Sequence, residues 1–265
     1  MNHLLRGHAP VTDEGWAVID DEAHQRLAPA LAARKLVDFE GPRGWEHSAT
    51  SLGRTAEIPG PEGLRARQRR VLPVVELRAP FAVSREELRD AARGARDIDF
   101  SGLDEAVSRI ARAENVAVFH GWREAAIVGI GDATPHTARP LGDSYAEYPS
   151  LVAQAVETLL SAGVSGPYGL ALGPDGYTGV VETTEHGGLV VFDHLRAILG
   201  GPIVWAPGVQ GAVVVSLRGG DFVLEVGEDL SIGYEHHDAQ SVHLYLEESF
   251  SFRAVSPDAA VALSA

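Results

Sequence analysis

Residues 41–73 read GPRGWEHSATSLGRTAEIPGPEGLRARQRRVLP. The stretch is thick with glycine, proline and charge, and apart from Trp45 it holds few side chains able to form a core of their own. Connections in compact domains run about 4–6 residues, and structureless loops beyond about 12–15 are uncommon. A segment this long is therefore either a linker without structure or an arm that rests on something else. Residues 50–58 and 71–77 each read as extended, with Pro59-Gly60-Pro61 as the turn between them. That pattern predicts a two-stranded arm. A lone hairpin is only marginally stable in water, so the arm needs a surface, and another copy of the same chain is the simplest one. Arg65, Arg67, Arg69 and Arg70 form the one basic run, and it lies inside this arm. With Glu57 and Glu62 close by, it reads as part of an ion-pair network with a neighbour's acidic surface rather than as a nucleic-acid contact.

The rest of the chain supports that partner. The formal net charge is −15, unevenly spread: residues 1–132 carry 18 Lys+Arg against 21 Asp+Glu, and residues 133–265 carry 4 against 16. No basic tract follows the arm, which argues against general nucleic-acid binding. At 265 residues the chain can bury a sizeable core in one or two domains. No run approaches the ~18 apolar residues of a membrane span. The first residues lack the apolar segment and small-residue cleavage site of a secretory signal, so the expected location is the cytoplasm. There is no cysteine, which removes disulfides, thiolate nucleophiles and thiolate metal sites.

Upstream of the arm, Thr12 reads as the cap of a helix with Trp16, Ile19, Ala23, Leu27 and Leu31 on one apolar face. Pro29 predicts an end or kink near Ala28, and residues 34–39 read as extended. After the arm, Ser84-Arg-Glu-Glu87 has the capping-box spacing and opens a short helix ending at Gly94. Ser101 reads as the cap of a longer one through Phe119, and residues 121–131 as its continuation or a short helix. Another helix starts at Pro149 and stops at Gly163. Strands are predicted at 168–172, 203–205 and 212–216, and short helices at 178–183 and 192–199. Residues 222–226 and 231–234 read as a hairpin around Gly227-Glu228-Asp229. In the last strand Val242, Leu244, Leu246, Phe250 and Phe252 alternate with polar residues, predicting one buried face; Glu248 breaks the apolar side once. Helices with mostly antiparallel strands make the fold class α+β.

Catalytic and metal signals are weak. His236-His237-Asp238 is the densest histidine cluster, and its place between two strands favours a polar turn over a metal site. There is no His-Glu-x-x-His, no Gly-x-Ser-x-Gly and no phosphate-cradling loop. No catalytic residue, metal or cofactor is assigned.

Several segments together resemble the encapsulins, shell proteins of bacterial nanocompartments. They are LLRGHAPVTDEGWAVIDDEA (4–23), ARKLVDFEGPRGW (33–45), LPVVELRAPFAV (72–83), GPYGLAL (166–172), RGGDFVLEVGEDLSIGYEHHD (218–238) and LYLEESFSF (244–252). The resemblance implies a tailed-phage major-capsid-like fold. Residues 1–45, 74–132 and 219–265 would form a peripheral domain, 46–73 the extended loop with Trp45 at its base, and 133–218 an axial domain. It implies a many-subunit icosahedral homo-oligomer enclosing a cargo enzyme that carries a terminal targeting peptide. A dye-decolourising peroxidase stands slightly ahead of a ferritin-like protein, with no residue to support the choice. The implied peptide site comprises Leu27, Leu31, Arg34, Val37, Asp38 and Phe39, with Ile232 and Tyr234; closing the domain's own core is the competing role for Leu27 and Leu31. The implied pore loop is Thr184, Glu185, His186, Gly187, Gly188 and Leu189. Where some members bind flavin through a Trp, this chain has Glu86. The alternatives are a phage capsid protein proper and a bacteriocin- or protease-like enzyme.

Overall fold

The computed structural model describes residues 3–185 and 187–265. Its helices are α1 (Asp13–Ala30), α2 (Arg85–Ala92), α3 (Ser101–Phe119), α4 (Ile130–Ala133), α5 (Tyr148–Ser161), α6 (Pro174–Glu182) and α7 (Val191–Leu199). Its strands are β1 (Asp38–Glu40), β2 (Ala49–Ile58), β3 (Ala66–Pro73), β4 (Val75–Ser84), β5 (Arg139–Pro140), β6 (Tyr168–Leu172), β7 (Gly200–Trp205), β8 (Ala212–Ser216), β9 (Phe222–Val226), β10 (Ser231–His237), β11 (Ser241–Ala254) and β12 (Ala260–Ser264).

The Thr12 hydroxyl accepts from the Gly15 N–H and caps α1. The helix does not stop near Ala28 but runs through Pro29 to Ala30. So near the end, proline removes a single bond, to the Gln25 carbonyl, and Leu31 N–H still reaches the Leu27 carbonyl at 3.1 Å. Residues 34–39 are not uniformly extended either: a 3-10 turn, Ala33–Lys35, precedes the short β1. The Ser84 hydroxyl accepts from the Glu86 N–H at the start of α2. Ser101 is the first residue of α3 rather than its cap, and the Asp99 carboxylate accepts from its N–H. Residues 121–131 do not continue α3; Trp122 and Ile127 bridge back to back, and α4 follows.

The first sheet contains β1, β9, β11, β10 and β4. β9 and β10 do not form the predicted hairpin. Residues of β11 that pair with β4 also pair with β10 at one end and with β9 at the other. β9 and β10 therefore lie end to end along the same edge of β11, opposite β4. The segment between them bulges without turning back, pinned to β11 by Gly227 N–H to Ser249 carbonyl at 2.8 Å and Ser249 N–H to Glu228 carbonyl at 2.9 Å. The second sheet runs β5-β12-β8-β6-β7. The resemblance implies that residues 219–265 belong to the peripheral domain, yet β12 pairs antiparallel with β8 in the second sheet.

β11 joins two hydrophobic cores. Its Val242, Leu244 and Leu246 pack with α1 and α3 residues such as Ile19 and Leu103. Its Phe250 and Phe252 pack with the core of the second sheet, around Leu159, Leu170 and Val214. The expected single buried face is also wrong in the middle of this strand: Tyr245, Glu247, Ser249 and Ser251 on the other face are buried too. The foot of the arm meets Ser251, with the Thr50 and Ser251 hydroxyls 2.6 Å apart; Arg78 lies over the Tyr245 ring and is ion-paired to Glu247, and the Ser249 hydroxyl accepts from the Glu228 N–H at 2.8 Å.

One polar side chain fixes the turn after α1. Buried Asn115 on α3 accepts from Ala32 N–H and Ala33 N–H at 3.0 Å each, and donates to the carbonyls of Ala30 at 2.9 Å and Pro207 at 3.2 Å. All the hydrogen-bonding capacity of the amide is used. Asn115→Ala is expected to lower stability by about 1–3 kcal/mol, since the Ala33 N–H loses the Asn115 oxygen while the Ala32 N–H and the Ala30 carbonyl keep each other at 3.0 Å. Denaturant unfolding of the purified protein checks it.

Candidate binding groove and assembly surfaces

The turn held by Asn115 directs Arg34 into a groove of about 370 Å³ between α1 and the β9–β10 edge of the first sheet. Four predicted residues meet there: Leu27 and Leu31 from α1 and its end, Arg34 from the turn, and Ile232 from β10. They are spaced along the helix so that one face supplies the apolar wall. Leu27, Leu31 and Ile232 are also nearly buried in the core of the first sheet, so one set of side chains both closes the core and walls the groove. Sequence reading missed Leu230, Leu246 and the exposed Ala28, which add to the lining, and Leu4, whose carbonyl accepts from the Tyr234 N–H at 2.9 Å.

The other predicted residues lie apart. Val37 and Asp38 border a separate depression of about 180 Å³. The Asp38 carboxylate there accepts from the Gly220 N–H at 2.5 Å. Phe39 is exposed, with the Arg34 guanidinium 5.1 Å from its ring centroid. The Tyr234 hydroxyl lies 2.6 Å from Nδ1 of His237.

Arg34 is heavily engaged. Its Nε meets Glu114 at 2.7 Å, one terminal nitrogen meets Asp229 at 2.6 Å and the other meets Glu248 at 2.9 Å. Glu114 and Glu248 are fully buried. Three surrounding carboxyl groups raise the guanidinium's pKa even though burial opposes its charge. Burial raises the pKa of both glutamates, Glu248 the more strongly because Glu114 adds a second negative group beside it. The isolated break at Glu248 in an otherwise apolar strand face was the sequence signal for this cluster.

The arm consists of β2 and β3, paired antiparallel from Ala49↔Pro73 to Ile58↔Ala66. The second strand starts five residues earlier than predicted, so Arg67, Arg69 and Arg70 are strand residues, while Arg65 lies in the connection. Both faces are largely exposed, including Ile58, Leu64 and Val71. Arg54 stands opposite Arg70, a like-charge pair, and among the described residues only Arg67 of the arm's arginines approaches a carboxylate, Glu57 at 3.7 Å. Residues 49–73 hold five arginines and two glutamates in a chain of net charge −15. Trp45 is at the foot of the arm, half exposed and stacked on His3 with ring centroids 4.8 Å apart.

The loop after α6 is closed by a bridge between Thr184 and Val190 and by Glu185 N–H to Leu189 carbonyl at 2.8 Å. Gly188 N–H donates to the Glu185 carbonyl at 3.0 Å, and Gly187 and Gly188 adopt positive φ, which glycine accepts without strain. The Glu185 carboxylate lies 2.9 Å from Nδ1 of His194 on α7. Leu189 is exposed. His186 lies outside the described residues. Among the described residues no cluster of His, Asp and Glu is arranged to hold a metal ion, and no helix is long and apolar enough to cross a membrane.

Comparison with known proteins agrees with this architecture. A virus-like particle protein from Pyrococcus furiosus superposes with a TM-score of 0.60 at 19% identity, covering 92% of this chain and 98% of that one. The capsid protein of the Myoviridae phage XM1 gives 0.54 at 11% identity, covering 89% and 91%. These likenesses establish the tailed-phage capsid fold. A curated relative from Rhodospirillum rubrum, named a type 1 encapsulin shell protein, is 49% identical over 99% of this chain and 96% of its own length. The sequence model of the Linocin_M18 family, described as encapsulating protein for peroxidase, matches residues 1–251. With the fold, the arm and both sequence matches in agreement, the chain belongs to the encapsulin shell-protein family.

Proposed function

We propose that copies of this chain close into a hollow icosahedral shell through the arm, and that the groove beside α1 captures the targeting peptide of a cargo enzyme. The observation that carries the reading is the arm: two strands, exposed on both faces, whose arginines other than Arg67 have no carboxylate partner among the described residues, on a strongly acidic chain. Such a hairpin gains its stability from a neighbour, and covering it removes exposed strand edges that invite aggregation. A contact of about 4 kcal/mol alone gives only millimolar affinity. Repeated around a closed shell, many such contacts reinforce one another through effective concentration. Residues 1–45, 74–132 and most of 219–265 then form the peripheral part, and 133–218 with β12 the axial part. Electron microscopy of the purified protein tests the reading: uniform hollow particles are expected, and dispersed monomers at high concentration overturn it.

In the groove, Leu27, Leu31 and Ile232 supply apolar anchors, and peptide recognition of this kind draws affinity from pockets for a few side chains. The family's description supports a peroxidase as cargo ahead of a ferritin-like protein, and the shell itself takes the structural role, without a catalytic one. Identifying the protein that co-purifies with native shells checks the cargo.

The loop at 184–189 is proposed to rim a pore on a symmetry axis. Repeated carboxylates around such a rim select permeants by sign. Glu185→Gln is expected to slow cation influx and speed anion influx by a factor of a few, measured with a dye trapped inside assembled shells. Equal rates in the two proteins would remove Glu185 from the pore.

A further inference from the structure

The cluster around Arg34 holds more negative charge than one guanidinium can balance. Its members come from four separate parts of the chain: Arg34 from the turn after α1, Glu114 from α3, Glu248 from β11 and Asp229 from the bulge between β9 and β10. Each glutamate gives one oxygen to Arg34. The other oxygen of each, Oε1, is buried and has no further hydrogen-bond partner. The two carboxyl groups are held side by side by neighbouring nitrogens of the one guanidinium, Nε at 2.7 Å from Glu114 and a terminal nitrogen at 2.9 Å from Glu248. Two carboxylates cannot share that space as anions, whereas a carboxyl and a carboxylate can, with the proton between them.

We propose that Glu114 and Glu248 share one proton, and that together they act as positioning residues for Arg34 at the floor of the groove. Loss of that proton adds one negative charge beneath the groove and ties occupancy of the groove to pH. This rests on the groove being the peptide site proposed above; the shared proton itself does not.

Other charged and titratable groups border the pair and the groove. Across the groove α1 presents Asp20, which is ion-paired to Arg6, and His24. β4 places only Leu77 opposite Glu248, and its neighbour Arg78 is committed to Glu76 and Glu247. Glu228, in the same bulge as Asp229, accepts from the Ser231 hydroxyl at 2.9 Å. Asp229, partly exposed, is the third anion on Arg34.

The sign follows from linkage. Burial raises the carboxyl pKa of Glu248 above its value in an unfolded chain. Between those two values the folded protein keeps a proton that the unfolded chain has released, so stability falls as pH rises through that window. Glutamine at 248 has no proton to lose, and its amide can donate to the Glu114 carboxylate.

Thermal denaturation of assembled shells between pH 5 and pH 9 tests the proton, with wild type, Glu248→Gln and Glu114→Gln compared. Relative to wild type, both variants are expected to gain in midpoint by several degrees as pH rises. Curves that stay parallel across the whole range overturn the shared proton. Binding of a fluorescent peptide, taken from the end of the co-purifying cargo and carrying a net positive charge, tests the link to the groove. Wild-type shells are expected to bind it several-fold more tightly at pH 9 than at pH 5 beyond any change seen in Glu248→Gln. An identical pH profile in both proteins overturns the link to the groove. Failure of the peptide to bind either protein at any pH overturns both the link and the peptide-site reading, and leaves the denaturation curves to decide the proton separately.

Discussion

Replacing residues 52–70 by Asn-Gly is expected to leave a folded subunit that no longer closes a shell. Ser51 and Val71 are paired across the arm, so a two-residue turn joins them with strand-compatible geometry. The replacement keeps the Thr50–Ser251 hydrogen bond at the foot of the arm and removes five arginines with the exposed apolar tip. The two cores contain no residue from this segment, so far-ultraviolet circular dichroism and the cooperativity of unfolding are expected to survive. Size-exclusion chromatography and electron microscopy read the assembly. Intact particles would show that the arm is dispensable. A milder companion, Arg67→Glu with Arg69→Glu and Arg70→Glu, is expected to weaken assembly most at low ionic strength, where charge repulsion is least screened. If shells of that variant form as readily as wild type at every salt concentration, the arm binds through its apolar residues instead.

Leu31→Asp is expected to abolish cargo loading while empty shells still form. An aspartate at this nearly buried position puts a carboxylate on the apolar wall of the groove, which Asp229 also lines. A loss of tenfold or more in peptide affinity corresponds to about 1.4 kcal/mol, well within what burying a charge on an apolar wall costs. Because Leu31 also belongs to the core of the first sheet, Ala28→Trp provides a second test. Ala28 is exposed and lines the same groove, so a large side chain there fills the groove without opening a cavity. Cargo occupancy is read by the ratio of cargo to shell protein in purified particles. Full occupancy in both variants would place the peptide elsewhere.

Much of this molecule was legible because its signals are local. The helix starting at Thr12 follows from a capping residue and a periodic apolar face, and the long helix through Phe119 from its spacing. The strands of the second sheet are short apolar runs between turn residues. The arm announced itself by what it lacks: no core of its own, and charge and glycine in place of one. Leu27, Leu31, Arg34 and Ile232 were named from family resemblance, and the fold brings these four to one groove.

What the amino-acid sequence determined by itself was therefore most of the helices and strands, the fold class, the family and the presence of an arm. The tertiary structure alone decided how β9 and β10 are used. Three adjoining residues rich in turn formers suggest a reversal, but β11 offers a buried edge long enough to pair with both strands in line, and pairing with it satisfies more backbone than a hairpin would. It also decided that β12 crosses to the second sheet, since β8 has an edge to fill. Finally, it decided that Arg34, Glu114, Asp229 and Glu248 meet. They are separated by up to 214 residues, and no local pattern records a contact made by packing a helix against the far end of a sheet.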